Sequence, residues 1–278
     1  MMSYKLPFHD LTIVELASVL AGPAVGMFFA ELGAQVIKVE NPLTDGDVTR
    51  TWKHPSENQT HKSSAYYHSV NWQKNSVFLN AKIPAEKEQI LDLIKSADIV
   101  ISNFRSSTAE KLGLDYKSIS DLCPHIVFGE ISAYGEEIDR PGFDALLQAE
   151  TGWMHMNGQA KGPPTKMPVA MIDLLAAHQL KEGLLVALIQ KLKTGQGGKV
   201  SVSLYDAAVS ALANQASNYL NLDIIPRRKG SQHPNIAPYG DIFRTKEGDL
   251  ILLAVGSCLL YTSPSPRDAT LSRMPSSA

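Results

Sequence analysis

Asp173 is a lone carboxylate inside the apolar segment PVAMIDLLAA. An aspartate in this setting usually has a partner or a function, because an unpaired buried charge is costly. An ionised carboxylate can attack an activated acyl group and form a covalent intermediate. Since an aspartate has an ordinary pKa of roughly 3.9, this chemistry requires no strong tuning of Asp173. A structural cap or ion pair is the alternative role for this residue.

The overall charge excludes broad classes of partner. The 278 residues contain 26 basic and 28 acidic side chains, which gives a net charge of -2. Such a chain has no overall positive electrostatic potential that would attract nucleic acid or an anionic membrane, so we expect neither as a partner. An anionic ligand must then be held by a local basic cluster. The two cysteines, Cys123 and Cys258, are too few for a metal-ligand set or a disulfide framework, so we expect no bound metal.

The distribution of apolar residues indicates a soluble protein. The opening MMSYKLPFHDLTIVEL lacks a cationic segment followed by a long apolar run, so it does not resemble a signal peptide. The longest apolar stretch, residues 16–32, is interrupted by small and charged residues, which favours a buried helix over a membrane span. We therefore expect a cytoplasmic location.

The first half of the chain alternates between strand and helix patterns. Pro23 suits the first turn of a helix that ends at Gly33, and residues 85–95 form a second amphipathic helix. Polar loops such as 44–63 are expected to cover a ligand. This alternation predicts an α/β fold with a Rossmann-like, open, mainly parallel sheet and flanking helices. The predicted strands are residues 11–16, 36–39, 76–80, 98–102 and 126–131.

The second half continues this pattern and then changes. It predicts a long helix over 170–192, a strand over 200–204 and a helix over 206–222. A basic stretch with Gly and Pro, residues 227–238, predicts a linker or mobile loop. One more strand follows at 250–255.

These elements predict three regions. Residues 1–222 form a large α/β domain, and residues 223–257 form a linker and the start of a smaller domain. Residues 258–278 are rich in Ser, Pro and Arg and have no useful periodicity. We interpret them as a disordered or non-native tail. The non-native alternative is favoured because the strand before the tail begins a domain that does not follow.

A dinucleotide site is one alternative for the opening strand–helix–strand unit. Glu40 ends the second strand about twenty residues after the first turn, where a ribose-binding acid would lie. The turn itself, ASVLAGP at 17–23, has no GxGxxG pattern, and its proline removes an amide that could bind a pyrophosphate. The indication for NAD is therefore weak.

Five segments with consistent order and spacing carry a family pattern. They are LTIVELASVLAGPAVGMFFAELGAQVIKVENP with GDVTR, then ISNFRSSTAEKLGLDY, RPGFDALLQAETGWM, PVAMIDLL and KTGQGGKVSVSLYDA. These segments resemble the class III CoA-transferases, which include formyl-CoA transferase and carnitine CoA-transferase. The resemblance covers roughly residues 8–257, and since family members are longer, we interpret the chain as C-terminally truncated. It implies a CoA-binding domain over residues 1–222.

The resemblance also implies the reaction. The family's nucleophilic aspartate matches Asp173, which would attack a thioester to give a mixed anhydride and then an aspartyl-CoA thioester. The implied partners are an acyl-CoA thioester and a carboxylic acid, both as substrates. No permanently bound cofactor is implied.

The implied CoA contacts lie at strand ends, where open α/β sheets bind ligands. Lys82, Arg105 and Lys111 would supply the local basic cluster, although each of them taken alone is better explained as a solvated surface charge. An arginine that some family members carry after the second strand is Asn41 here, which leaves one phosphate contact in doubt. The implied contacts are Leu20, Ala21, Leu79, Lys82, Asn103, Phe104, Arg105, Lys111, Arg140 and Phe143.

Phe143 bears on an alternative activity. The related α-methylacyl-CoA racemases place a histidine at this position and use it with the aspartate for proton exchange at the α-carbon. Phenylalanine can neither accept nor donate a proton, which disfavours a racemase. His155 and His178 are nearby in sequence but lie outside the motif.

The segment KGSQHPNIAPYG lies where relatives carry a mobile loop over the active site. Gly230 and Gln232 match the character of that loop, and His233 is adjacent. A plain interdomain linker is the alternative.

The resemblance implies an interlocked homodimer for the full-length protein. A truncated chain lacks part of that architecture. Besides a CoA-transferase and a racemase, the third hypothesis is therefore an inactive fragment that at most binds CoA weakly.

Overall fold

The computed structural model describes residues 5–236 and 238–256. Two compact units divide the chain. The first contains residues up to Thr151 together with Met167–Leu212, and the second contains Gly152–Lys166 and the described residues from Ala213 onward. The predicted domain boundary at residue 222 stays a prediction. The predicted tail, with Cys258, lies outside the described residues.

Six parallel strands form the sheet of the first unit, in the spatial order β3-β2-β1-β4-β5-β6. The predicted Rossmann-like parallel sheet is thereby confirmed. The order reverses direction between β1 and β4, which is the point where open α/β sheets bind ligands. The strands are β1 (Thr12–Leu16), β2 (Gln35–Glu40), β3 (Asn75–Phe78), β4 (Ile99–Ser102), β5 (Val127–Ser132) and β6 (Gly198–Ser203).

Helices connect the strands and cover the sheet. Short 3-10 turns at Pro42–Thr44 and Val48–Thr51 follow β2. The first unit contains α1 (Ala21–Glu31), α2 (Ala65–His68), α3 (Pro84–Lys95), α4 (Ser106–Leu112), α5 (Tyr116–Leu122) and α6 (Asp144–Glu150). The remaining helices are α7 (Trp153–Met156), α8 (Met171–Thr194), α9 (Leu204–Ser210) and α10 (Asn214–Leu222).

The predicted single helix over 206–222 is wrong. Two helices, α9 and α10, occupy this region, and Ala213 between them has φ +48°. A right-handed helix cannot continue through a residue with positive φ. The apolar pattern alone did not show this break, because nothing in the local sequence requires Ala213 to adopt a positive φ.

The core lies on both faces of the central strands. Val14 and Leu16 of β1 pack in one cluster with Ile90 and Ile94 of α3 and with Phe128 of β5. On the opposite side, α8 packs against β5 so closely that a side chain at Gly129 would meet Leu180 and Leu184 at 3.1–3.3 Å. This close packing fixes the helix that carries Asp173 at its first turn.

The second unit contains an antiparallel hairpin, β7 (Tyr239–Arg244) with β8 (Leu250–Ala254). The strand predicted at 250–255 is confirmed, whereas its partner strand was not predicted. Arg228 ties the segment 152–166 into this unit, since it donates hydrogen bonds to the carbonyl oxygens of His155 (2.8 Å) and Gly162 (3.0 Å).

Neither a membrane-spanning helix nor a metal-binding cluster is present in the described part of the chain. No helix there is long and apolar enough to cross a membrane. No group of three or more His, Cys, Asp or Glu side chains in that part could hold a metal ion.

Candidate active site

A cleft of about 390 Å³ opens at the carboxyl ends of β1, β4 and β5, at the reversal of strand order. Its walls are the loops that follow these strands, the segment before α6 and the first turn of α8. These elements bring predicted residues together that are far apart in sequence. Those lining the cleft are Leu20, Ala21, Asn103, Phe104, Arg105, Arg140, Phe143 and Asp173.

A second cleft of about 430 Å³ lies at the ends of β1 and β2 and contains Leu79 and Lys82. Ser18, Phe104 and Thr108 line both clefts, so the two adjoin. A long ligand can therefore extend from one to the other. Lys111 lies exposed on α4 and lines neither of them.

Asp173 is 9% exposed and lies in the first turn of α8. Burial, and then the negative charge of Asp144, raise its pKa to about 7. The position of Asp173 in the first turn of α8 acts in the opposite direction, because a helix N-terminus favours an anion. The attack itself requires no such shift, and the sequence did not show that Asp173 would be buried near a second aspartate. A more basic carboxylate is a stronger nucleophile once it is ionised.

Asp144 is buried at the start of α6. Its Oδ1 accepts a hydrogen bond from the Ile172 backbone N–H at 2.8 Å, and its Oδ2 accepts one from Gln148 Nε2 at 2.6 Å. Neither Asp144 nor Gln148 was among the predicted site residues. The signal available was the pair of polar residues four apart in RPGFDALLQAE, on one face of a helix.

The loop after β1 has an unusual backbone conformation. Val19 has φ +74°, which is strained for a β-branched residue. Its N–H donates to the Asp47 carboxylate, at 3.1 Å to Oδ2. Ser18, one residue earlier, is paired with Asn103 through its N–H and its carbonyl oxygen. Contacts from two distant segments therefore hold the loop that carries Leu20.

A buried charge network supports that loop. Lys38 Nζ contacts Glu15 Oε1 at 2.9 Å, Asp47 Oδ2 at 3.0 Å and the carbonyl oxygen of Ala17 at 2.7 Å. Lys74 binds the other Glu15 oxygen at 2.8 Å. Glu15 and Lys38 are register partners in adjacent strands. The sequence signal was a single acid in one apolar strand and a single base in the next.

The Glu40 carboxylate is fully engaged in hydrogen bonds with other residues of the protein. Its carboxylate accepts hydrogen bonds from Arg50 at 2.6 and 2.7 Å, from Tyr67 Oη at 3.1 Å and from the Asp47 N–H at 2.8 Å. Although burial acts to raise its pKa, the Arg50, Ser76 and Asp47 bonds lower it to about 2. These contacts occupy the carboxylate that a ribose would need. Asn41 accepts a hydrogen bond from Leu43 N–H at 3.0 Å and so begins the first 3-10 turn.

Arg140 and Phe143 lie on one wall of the main cleft. The Arg140 guanidinium is paired with Glu150 and lies over the Tyr134 ring, 4.1 Å from its centroid. Phe143 is 66% exposed. Lys82 and Arg105 are also exposed, so they can reach an anionic ligand.

The histidines outside the motif lie elsewhere. His155 is in α7 of the second unit, and His178 is exposed on α8; neither lines the two clefts. The segment of the predicted mobile loop belongs to the second unit. There Gly230 has φ +63°, Gln232 donates to Asp241 at 2.7 Å, and His233 Nδ1 accepts from the Asn235 and Ile236 N–H groups at 3.1 Å. Its role as a cover over the active site stays a prediction.

The fold and the cleft define an α/β protein with a buried carboxylate at a ligand-sized opening. Residues 8–259 match the model of CoA-transferase family III. The chain belongs to this family, as the sequence segments predicted.

Similar proteins carry transferase names. The chain is 38% identical to succinate–glutarate CoA-transferase of Agrobacterium fabrum, over 92% of this chain and 65% of that protein. It is 36% identical to human succinyl-CoA:glutarate CoA-transferase, over 88% of this chain and 56% of that protein. A crystal structure of a CaiB/BaiF family protein from Brucella suis has a TM-score of 0.82 and 36% identity, covering 90% of this chain and 66% of that one. The chain thus spans between half and two thirds of the length of these relatives.

Proposed function

We propose that this chain carries the nucleophile and the CoA-binding clefts of a CoA-transferase that moves CoA from an acyl-CoA donor to a carboxylic-acid acceptor. The observation that supports this best is the location of Asp173. Asp173 lines a cleft at the strand ends, and this cleft adjoins a second one that contains Lys82. A site that transfers CoA needs a nucleophile near the acyl group of the thioester and an elongated groove that binds the rest of CoA.

The proposed reaction begins with attack by an Asp173 carboxylate oxygen on the thioester carbonyl carbon. The carbon–sulfur bond breaks, which gives a mixed anhydride and the CoA thiolate. The thiolate then attacks the aspartyl carbonyl and releases the donor as a free carboxylate, leaving an aspartyl-CoA thioester. The acceptor carboxylate repeats these two steps in reverse and leaves as a new acyl-CoA.

The cations around the clefts serve the phosphates of CoA in this proposal. Arg105 lines the main cleft and Lys82 the second one, both exposed. The apolar side chains of Leu79 and Phe104 offer contact for the adenine and pantetheine parts. Lys111 remains a proposed phosphate contact from its position on α4. Arg140, paired with Glu150, would have to leave that partner to bind an anion.

We propose short dicarboxylic acids as donor and acceptor. Several relatives are named for such pairs, including succinyl-CoA with glutarate and, at 34% identity, succinyl-CoA with mesaconate. The homodimer and the cytoplasmic location stay predictions. Exposed apolar side chains such as Leu220 and Leu222 of α10 favour association with a second copy.

The test is a trapping experiment with succinyl-CoA. The protein is incubated with the thioester, and peptides are analysed by mass spectrometry with and without hydroxylamine. We expect an adduct on Asp173 that hydroxylamine converts to a hydroxamate, and no adduct in Asp173→Asn. An unmodified Asp173 would show that this chain is the inactive fragment. Exchange of the α-proton of an acyl-CoA in deuterated water, without any acceptor acid, would instead indicate a racemase.

A further inference from the structure

Gln148 bridges two parts of the chain from a fully buried position on α6. Its side chain is 0% exposed. Its Nε2 donates to Asp144 Oδ2 at 2.6 Å, and its Oε1 accepts from the Met167 backbone N–H at 2.9 Å. A buried amide with a partner on each side is fixed in orientation, because a flip would place donor against donor.

Asp144 holds the other end of the same segment. Its Oδ1 accepts from the Ile172 N–H at 2.8 Å. Met167 lies four residues before α8 begins at Met171. Ile172 is the residue immediately before Asp173. One helix therefore fixes both ends of the segment 167–172, and the nucleophile follows directly.

We propose that Asp144 and Gln148 act as a positioning clamp that holds the first turn of α8, and with it the Asp173 carboxylate, at the angle needed for attack on the thioester. This inference rests on the proposed function. Neither residue contacts substrate in the proposal. Both act through the backbone of residues 167–172.

The clamp has an electrostatic consequence besides its geometric one. Asp144 accepts N–H groups from Gln148 and Ile172, and after burial it is the second cause that raises the pKa of Asp173. The charge also makes Asp173 more basic. Other ionisable groups surround the site as well: Tyr66 of α2, whose pKa is raised by burial and then by Asp173, and Asp139, Arg105 and Arg140 along the cleft.

The test compares three variants of the full chain. Asp144→Asn removes the charge, Asp144→Glu keeps the charge but lengthens the side chain, and Asp115→Asn is a matched control. Asp115 also accepts a backbone N–H at the start of a helix, from Ser118 at 3.0 Å, but it lies on α5, away from both clefts. Two quantities are measured: the pKa of Asp173, from the carbon-13 resonance that is lost in Asp173→Asn, and the rate of adduct formation with succinyl-CoA.

We expect Asp144→Asn to lower the Asp173 pKa below its value of about 7 and to slow adduct formation about tenfold or more above that pH. Asp144→Glu should leave the pKa near the original value and still slow the reaction. Asp115→Asn should change neither quantity. If Asp144→Asn fails to fold, Gln148→Met, which fills the same volume without its two hydrogen bonds, should slow the reaction in the folded protein.

Two results would overturn the clamp. One is an unchanged Asp173 pKa in Asp144→Asn, and the other is a normal reaction rate in folded Asp144→Glu and Gln148→Met. A lower melting temperature with both quantities intact would assign the two residues a purely structural role. Failure of the original protein to form any adduct contradicts the proposed function instead, and the Asp173 titration still measures the coupling to Asp144.

Discussion

Asn103 and Ser18 join the ends of β4 and β1 through a reciprocal pair of hydrogen bonds. Asn103 Nδ2 donates to the Ser18 carbonyl oxygen at 2.8 Å, and the Ser18 N–H donates to Asn103 Oδ1 at 3.1 Å. The two residues are 85 positions apart and meet where the strand order reverses. This pair connects two loops that line the main cleft.

Asn103→Ala should loosen both loops. We expect the free energy of unfolding to fall by about 1–2 kcal/mol, because two backbone groups lose their partner, and CoA binding to weaken severalfold. Urea denaturation and calorimetric titration with CoA measure these effects. Asn221→Ala, which removes an amide bonded to Ser217 on α10, is the control and should leave CoA binding unchanged. Equal CoA affinity in both variants would contradict the proposed role of the pair.

Val19→Gly should relieve the backbone strain at this position and at the same time weaken CoA binding. Glycine adopts φ +74° without a steric penalty, so we expect the free energy of unfolding to rise by about 1 kcal/mol. CoA binding should weaken, since the freer loop must be ordered by the ligand. Val19→Ala keeps the Cβ and the strain, and it should give no gain in stability. A gain in both variants would mean that the backbone is not strained.

Lys38→Met should be severely destabilising. It leaves Glu15 and Asp47 buried without their shared cation, and we expect a loss of about 3–5 kcal/mol. Lys95→Met removes an exposed ion pair with Asp92 and should have no measurable effect. Thermal unfolding of both variants at one pH is the measurement. Similar melting temperatures would show that the buried network contributes little.

The rate of Asp173 acylation should rise with pH. Only the ionised carboxylate attacks, and the pKa of Asp173 is raised to about 7. The rate should therefore be low at about pH 5, increase through neutrality and level off above about pH 8. Single-turnover reactions with succinyl-CoA across this range provide the profile. A profile already flat from about pH 5 would show that Asp173 titrates near its ordinary value.

Asp173→Asn should stabilise the protein in a pH-dependent manner. Because the folded pKa of about 7 exceeds the ordinary 3.8, the folded state binds more protons, and the original protein loses stability as the pH rises between these values. The Asp173→Asn variant has no carboxyl group at this position, so its stability does not decrease in this way as the pH rises. We expect similar stability near about pH 4 and an advantage of about 2 kcal/mol for the variant near about pH 8, less than the full linkage because a buried amide is also costly. A variant less stable at both pH values would contradict the raised pKa.

Much of the fold was predictable because its signals are local. Short β-branched runs and amphipathic helices identified the six parallel strands and the long helix over 170–192, observed as Met171–Thr194. The break at Ala213 was missed, since nothing in the local pattern requires an alanine to take a positive φ. The strand Tyr239–Arg244 was also missed, because its definition depends on its hairpin partner.

The sequence by itself determined the α/β architecture and, through family segments in a consistent order, the family and a set of candidate contacts. Only the tertiary structure decided which of these meet: Asn103 with Ser18, Leu79 in a cleft beside Phe104, and Lys111 outside both clefts. It also decided the pKa of Asp173, because that value depends first on burial and then on Asp144, which lies 29 positions earlier in the sequence and comes near Asp173 only after folding. Electrostatic coupling follows distance in space, and a sequence contains distance only along the chain.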